Sequence, residues 1–309
     1  MSYAIAVEPP EQDEEQKQLE KAFRKKLNQE ARAIVSDSMH KSVKLIVHRP
    51  EYTREDREAY ARTVKDLLPV VQEIARRAMP ILTHDISVDY AGRHYYGSRF
   101  RADRLAYVDF RHFAKKRPPT EAPSLVVGLR IDESKSMNAA GRLEAARLAA
   151  IAIYEFCLLC DIPVLIAGDT ADVSRLEQMS IYSYADYAKP DPNDRYRLLS
   201  IRARGNNRDG MALRIMADKL AEAPGQSKLL ISISDGQPKA MEAYTGEAAL
   251  QDIQQTISEY ERRGVRFLAA AIGDDKDVIN RIYGDGRYLD MSDLSRFPAE
   301  MVRCIARYL

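Results

Sequence analysis

The chain is poor in several features that mark large classes of proteins. It has no tryptophan, three cysteines and five histidines in 309 residues, and 47 Lys and Arg nearly balance 46 Asp and Glu. Three cysteines do not make a disulfide framework, and a formal charge of +1 gives no global reason to expect nucleic acid or a membrane as a partner. No apolar run approaches the roughly 18 residues of a membrane span, and the N-terminus does not resemble a signal peptide. These absences predict a soluble, cytoplasmic protein.

Common catalytic motifs are missing as well. The chain contains no HExxH and no GxSxG, and the phosphate-loop-like glycine spacing from Gly92 to Gly97 is followed by Ser98 where a lysine is required. Cys157 and Cys160 form a CxxC, but they lie in an apolar predicted helix with no second cysteine pair, so we expect them to pack in a core. The sequence therefore does not indicate a zinc protease, a serine hydrolase or an ATPase.

Strand and helix patterns alternate from residue 123 onward. This alternation predicts an α/β fold, a doubly wound, mostly parallel sheet flanked by helices, preceded by a mainly helical N-terminal region. The predicted domains are 1–120, which includes an aromatic and basic segment, and 121–309. The predicted strands are 125–131, 163–167, 196–201, 228–234, 265–272 and a short one near 288. The predicted helices are 11–39, 53–79, 141–160, 209–222, 246–263, 276–283 and 294–309. Pro80 is expected to end the second helix, and 169–192 is expected to be irregular.

Two acidic motifs directly follow apolar strand patterns. Asp132-Glu-Ser134-Lys-Ser136 follows LVVGLRI, and Ser234-Asp235-Gly236 follows LLISI. Residues at the carboxyl ends of parallel strands line the ligand crevice of an α/β sheet. Carboxylate and hydroxyl oxygens suit a small, hard cation. A third loop, GNNRDG, opens a helix and brings Asp209, which could be a further acidic ligand or the cap of that helix.

These three loops, in this order and spacing, resemble a von Willebrand factor A-type domain, in which they form the metal-ion-dependent adhesion site. The resemblance covers about 120–309. It implies a Mg²⁺ site (or Mn²⁺/Ca²⁺) whose residues are Asp132, Ser134, Ser136, Asp209 and Asp235. Two positions depart from the family pattern: Lys135 replaces the usual glycine, and Asp209 replaces a frequent threonine. The extra carboxylate should raise cation affinity but leave less positive charge to attract an acidic group.

The segments GNNRDGMAL and LLISISDGQPKA resemble a subset of that family more narrowly. This subset contains cobalt-chelatase-associated subunits and nitric-oxide-reductase activation proteins. The resemblance implies a non-enzymatic adaptor that works with a MoxR-type AAA+ ATPase in metal-cofactor insertion or enzyme activation, and that binds a client protein through an acidic residue.

Several alternatives stay open at this point. Carboxylates at strand ends also suit a magnesium-dependent phosphotransfer enzyme or hydrolase, and Lys135 could make the metal site vestigial. Basic residues around the start of the GNNRDG loop, which is the second of the three loops along the chain, could bind a partner; they are Arg202, Arg204 and Arg208. The charged N-terminal helix leaves homo-oligomerisation open.

Overall fold

The computed structural model describes most of the chain. The described residues are 14–84, 90–96, 99–102, 111–116, 125–172, 177–225, 227–235, 239–240, 244–271, 276–284, 287–290 and 296–307. Several predicted element ends (11–13, 272, 294–295 and 308–309) and Gly236 lie outside them.

A seven-stranded sheet forms the centre of the molecule, in the order β1-β7-β6-β5-β8-β9-β10. Five neighbouring strands, β6, β5, β8, β9 and β10, are mutually parallel. Strand β7 runs antiparallel to β6, and β1 runs parallel to β7. The strands are β1 (Lys44–His48), β5 (Leu125–Asp132), β6 (Val164–Ala171), β7 (Gln178–Ala185), β8 (Ser227–Ser234), β9 (Val265–Ala271) and β10 (Tyr288–Asp290). A second, antiparallel sheet joins β2 (Tyr90–His94), β3 (Arg99–Phe100) and β4 (Phe113–Lys116) in the order β2-β4-β3.

Helices cover both faces of the large sheet, which confirms the predicted fold class. Apolar side chains of α2, α3 and α8 form the core on one face, and those of α1, α5, α6 and α7 form the core on the other. The main helices are α1 (Glu14–Val35), α2 (Arg54–His84), α3 (Arg142–Leu159), α5 (Asp209–Ala221), α6 (Gly246–Arg262), α7 (Lys276–Tyr283) and α8 (Phe297–Ala306), and α4 (Asp194–Arg197) is a single turn. Because both faces are covered, every residue of β5 is buried.

Local sequence signals account for several boundaries. At the start of α2, the Thr53 backbone N–H donates to Asp56 Oδ2 at 2.7 Å and the Asp56 N–H donates to Thr53 Oγ at 3.2 Å, as in a capping box. Gly128 on β5 allows α5 to pack closely, since a Cβ there would lie 2.5 Å from Leu220 Cδ1. Cys157 and Cys160 are buried, free thiols, as their apolar helix predicts.

Three element predictions are wrong. Residues 196–201 are not a strand but the end of α4 and a 3-10 turn, where Arg197 Nε donates to Asp194 Oδ1 at 2.9 Å across one helical turn. The stretch predicted to be irregular contains β7. Pro80 does not end α2, which continues to His84.

The N-terminal region contributes directly to the large sheet. Strand β1 extends the sheet beyond β7, with Leu45 opposite Met179. The Tyr60 hydroxyl on α2 donates to Glu155 Oε1 on α3 at 2.8 Å, and both residues are buried. Segments from both sides of residue 120 therefore share one core. In the described part of the chain, no helix has the length and apolarity needed to cross a bilayer.

Candidate functional site

The first and second loops are joined by backbone hydrogen bonds at the carboxyl edge of the large sheet. The Lys135 N–H donates to the Gly205 carbonyl at 2.8 Å, and the Arg204 N–H donates to the Glu133 carbonyl at 2.7 Å. The Glu133 N–H in turn donates to the Asp169 carbonyl at the end of β6, at 3.0 Å. The first loop is therefore fixed between the second loop and the neighbouring strand.

Asp132 is the centre of this edge. Its side chain is fully buried. One carboxylate oxygen, Oδ1, accepts from the Ser134 N–H at 2.8 Å. The other, Oδ2, accepts from Ser234 Oγ on β8 and from Asn207 Nδ2 of the second loop, both at 3.0 Å. The contact with Asn207 was not predicted, and the only sequence signal for it is its place in the GNNRDG loop.

The remaining oxygen groups lie beside Asp132. The Ser134 and Ser136 hydroxyls are 2.9 Å apart, and Ser136 also forms a side-chain hydrogen bond with Asp235. Arg142 Nη1 lies 3.4 Å from Asp235 Oδ2. Burial and the nearby negative charge of Asp132 raise the pKa of Asp235, although Ser136 and Arg142 oppose the shift. A raised pKa is expected where carboxylates are crowded together with too little positive charge.

Asp209 lies at the same edge but is held by a buried arginine. Arg130 Nη2 donates to Asp209 Oδ1 at 2.6 Å, and Arg130 Nε and Nη2 also donate to the two carboxylate oxygens of Asp169 at 2.5 and 2.9 Å. Burial raises the pKa of Asp209 to about 7 together with the charges of Asp132 and Asp169, while Arg130 opposes the shift. The sequence signal for this contact was a single charged residue inside an otherwise apolar strand.

The arginines at this edge only partly balance the carboxylates, which favours the binding of a divalent cation. Four carboxyl groups and two guanidinium groups meet at this edge, so full ionisation of the carboxyl groups would give an excess of two negative charges. The carboxylates are those of Asp132, Asp169, Asp209 and Asp235, and the guanidinium groups are those of Arg130 and Arg142. Two carboxylates and two hydroxyls form an oxygen donor set of the kind that Mg²⁺ prefers. No group of three or more His, Cys, Asp or Glu side chains suited to a metal occurs in the described ranges, so a cation here depends on the serine hydroxyls.

The arginines predicted to bind a partner occupy three different environments. Arg202 is exposed. Arg204 forms an ion pair with Glu133 at 2.7 Å, and its guanidinium stacks on Tyr182 at 3.7 Å from the ring centroid. Arg208 is buried, donates from Nε to His40 Nδ1 at 3.1 Å and lies over the Tyr244 ring.

Lys135, the departure from the family pattern in the first loop, is exposed. Its side chain is therefore not buried among the carboxylates of the site.

Comparisons with known proteins find partial similarity to a few of them. No known protein-family profile matches the chain. Over 111 residues it is 29% identical to protein NorD of Brucella abortus, and the match covers 36% of this chain and 18% of NorD. An uncharacterized protein of Bacillus subtilis, YojO, is 23% identical over 226 residues, which cover 70% of this chain and 34% of YojO. The chain thus matches less than a fifth of the length of NorD and about a third of that of YojO.

Two of the solved structures that are similar to this chain are von Willebrand factor domains. The von Willebrand factor type A protein of Catenulispora acidiphila has a TM-score of 0.41 and 17% identity, covering 63% of this chain and 43% of that one. The vWF domain of the pilus tip protein Mfa5 of Porphyromonas gingivalis has a TM-score of 0.45 and 11% identity, covering 60% of this chain and 95% of that one.

Proposed function

We propose that the protein is an adaptor that binds a partner protein through a divalent cation. Mg²⁺ is the preferred ion, with Mn²⁺ or Ca²⁺ as substitutes. Asp132, Ser134, Ser136 and Asp235 would hold the cation. When bound, the cation supplies a Lewis-acidic position that can accept a carboxylate from a partner. The protein's own residues orient the donors: Ser234 and Asn207 fix Asp132, and Arg142 lies against Asp235.

One observation carries this proposal. Two carboxylates and two hydroxyls come together where the adjacent parallel strands β5 and β8 end. The two loops that carry them are far apart in the sequence: Ser234, which donates to Asp132, lies 102 residues after it. Ligands of open α/β sheets bind in this position, outside the carboxyl ends of the strands. Turn residues that met by chance would not need to be buried, whereas Asp132, Ser134 and Asp235 are all buried.

The similarity to NorD supports an activation or adaptor role for this domain. By the narrower resemblance to nitric-oxide-reductase activation proteins, we propose that the partner is a MoxR-type AAA+ ATPase and that an acidic residue of that ATPase or of its client reaches the cation. A magnesium-dependent phosphotransfer enzyme or hydrolase would use the same oxygen donors, and the experiment below separates the two functions.

The test is a calorimetric titration of Mg²⁺ and of Mn²⁺ into the wild type, Asp132→Ala and a control variant. The control is Asp218→Ala, which removes a carboxylate paired with Arg263 at the surface, away from the proposed site. We expect saturable binding by the wild type and by the control, and none by Asp132→Ala. Equal binding by all three proteins would exclude this site.

A second readout separates adaptor from enzyme. Turnover of a phosphate ester by the wild type that is lost in Asp132→Ala would favour the enzyme. Metal-dependent association with a MoxR-type ATPase, lost in EDTA and in Asp132→Ala, would establish the adaptor.

A further inference from the structure

Arg130 is a fully buried cation beside the proposed cation site. It lies on β5 two residues before Asp132, so both side chains are on the same face of the strand. Besides its contacts with Asp169 and Asp209, its Nη1 donates to Ser232 Oγ on β8 at 3.2 Å. Burial lowers the pKa of an arginine, but the charges of Asp169 and Asp209 outweigh that effect and raise the pKa of Arg130, which stays charged. A buried guanidinium is tolerated only when it is paired in this way.

The contact with Arg130 constrains what Asp209 can do. An acidic side chain at the start of α5 would be a natural further ligand for a cation beside Asp132. Asp209 Oδ1 instead accepts a charge-assisted hydrogen bond of 2.6 Å from Arg130. Moving Asp209 onto a cation would take away one of the two carboxylates that compensate a buried guanidinium, which is costly in a low-dielectric interior.

We propose that Arg130 is the residue that sets the charge of the cation site: it holds Asp209 away from the cation and cancels the negative charge that Asp209 adds. When Asp209 is ionised, Asp209 and Arg130 together add no net charge to the site. A cation held by Asp132 and Asp235 keeps the attraction for an acidic group that a third ionised carboxylate would weaken. This inference rests on the proposed function, since it concerns the same cation.

A double-mutant cycle tests the charge balance. The variants are Arg130→Met, Asp209→Ala and the two combined, and the measurement is Mn²⁺ affinity by calorimetry. Asp209→Ala leaves the buried arginine undercompensated and should weaken Mn²⁺ binding by at least about tenfold, while Arg130→Met should strengthen it by a similar factor. The double variant has the wild-type net charge, and its affinity should return to within roughly threefold of wild type. If Asp209 were itself a ligand, the double variant would bind as weakly as Asp209→Ala, and the inference would be wrong.

The number of water molecules on the bound Mn²⁺ gives a second, independent readout. Water-proton relaxation of the Mn²⁺-loaded protein should give the same number for the wild type and for Asp209→Ala, because Asp209 is not a ligand. One additional water in Asp209→Ala would overturn the inference. This measurement needs no change at Arg130, so it decides the question even if Arg130→Met does not fold.

Acetate serves as the probe for capture of an acidic group. Its displacement of Mn²⁺-bound water should weaken in Arg130→Met and recover in the double variant. Unchanged acetate binding across the folded variants would refute the charge-setting role.

The outcomes separate this inference from the function on which it rests. No Mn²⁺ binding by the wild type, or equal binding by Asp132→Ala, would overturn both. Binding that is lost in Asp132→Ala, together with an additional water in Asp209→Ala, would overturn only the role of Arg130.

Discussion

Leu45→Ala should destabilise the whole seven-stranded sheet, although Leu45 lies far from the central strands in the sequence. Leu45 is 1% exposed in the core that β1 and α1 share with α5, α6 and α7. Its strand is paired with β7, and its carbonyl accepts from Arg32 Nη2 on α1 at 3.1 Å. If β1 is an integral strand of the sheet, a cavity beneath it lowers the free energy of unfolding of the domain and not only that of the N-terminal region.

The size of the effect follows from the burial. Truncation of a fully buried leucine to alanine costs about 2.7–5 kcal/mol, and the cost is lowest where the surroundings can close the cavity. Because β1 is the outermost strand of the sheet and α1 can move toward it, we expect about 3 kcal/mol. For a chain of this length, that corresponds to a fall in melting temperature of about 6 °C.

Hydrogen exchange followed by mass spectrometry measures the effect locally. In Leu45→Ala, peptides from β5 and β8 in the centre of the sheet should lose protection by the same free energy as peptides from β1. The matched control is Leu19→Ala on α1, whose side chain is 58% exposed and whose truncation should change little. Loss of protection confined to β1 and α1, with β5 and β8 unchanged, would refute the reasoning and show that the N-terminal region unfolds by itself.

Three further predictions concern buried polar groups. Tyr60→Phe removes the hydrogen bond to the Glu155 carboxylate and should cost roughly 1.5–3 kcal/mol in urea unfolding; no change would mean that α2 does not pack tightly on α3. Arg208→Met removes the hydrogen bond to the buried His40 and the contact with the Tyr244 ring, and should cost about 1–3 kcal/mol, whereas Arg202→Met at an exposed position should stay within about 0.5 kcal/mol; the reverse order in thermal melts would contradict these placements. Burial, together with nearby arginines, lowers the pKa of His48 below its ordinary value of about 6.5, so the unfolded state binds more protons and stability should rise as pH increases toward 6.5. His48→Gln should flatten that part of the stability profile, and an unchanged slope would rule out His48 as its source.

The sequence by itself determined most of the strands, most of the helices and the edge of the sheet at which the two acidic motifs lie. The apolar runs before Asp132 and Asp235 are local patterns, and parallel strands with helices between them place those two carboxylates at one edge without further information. The capping box at Thr53 was readable for the same reason, because its partners are three residues apart. Local periodicity does not show which segments become neighbours in a sheet.

Only the tertiary structure decided the contacts between distant residues. The pairing of β1 with β7 depends on α1 lying across that edge, and neither strand has a long enough pattern to show it alone. Arg130 meets Asp169 and Asp209 across 39 and 79 residues of sequence. These contacts pair Asp209 with Arg130, because a buried guanidinium must have carboxylate partners and the order of the strands determines which carboxylates it can reach.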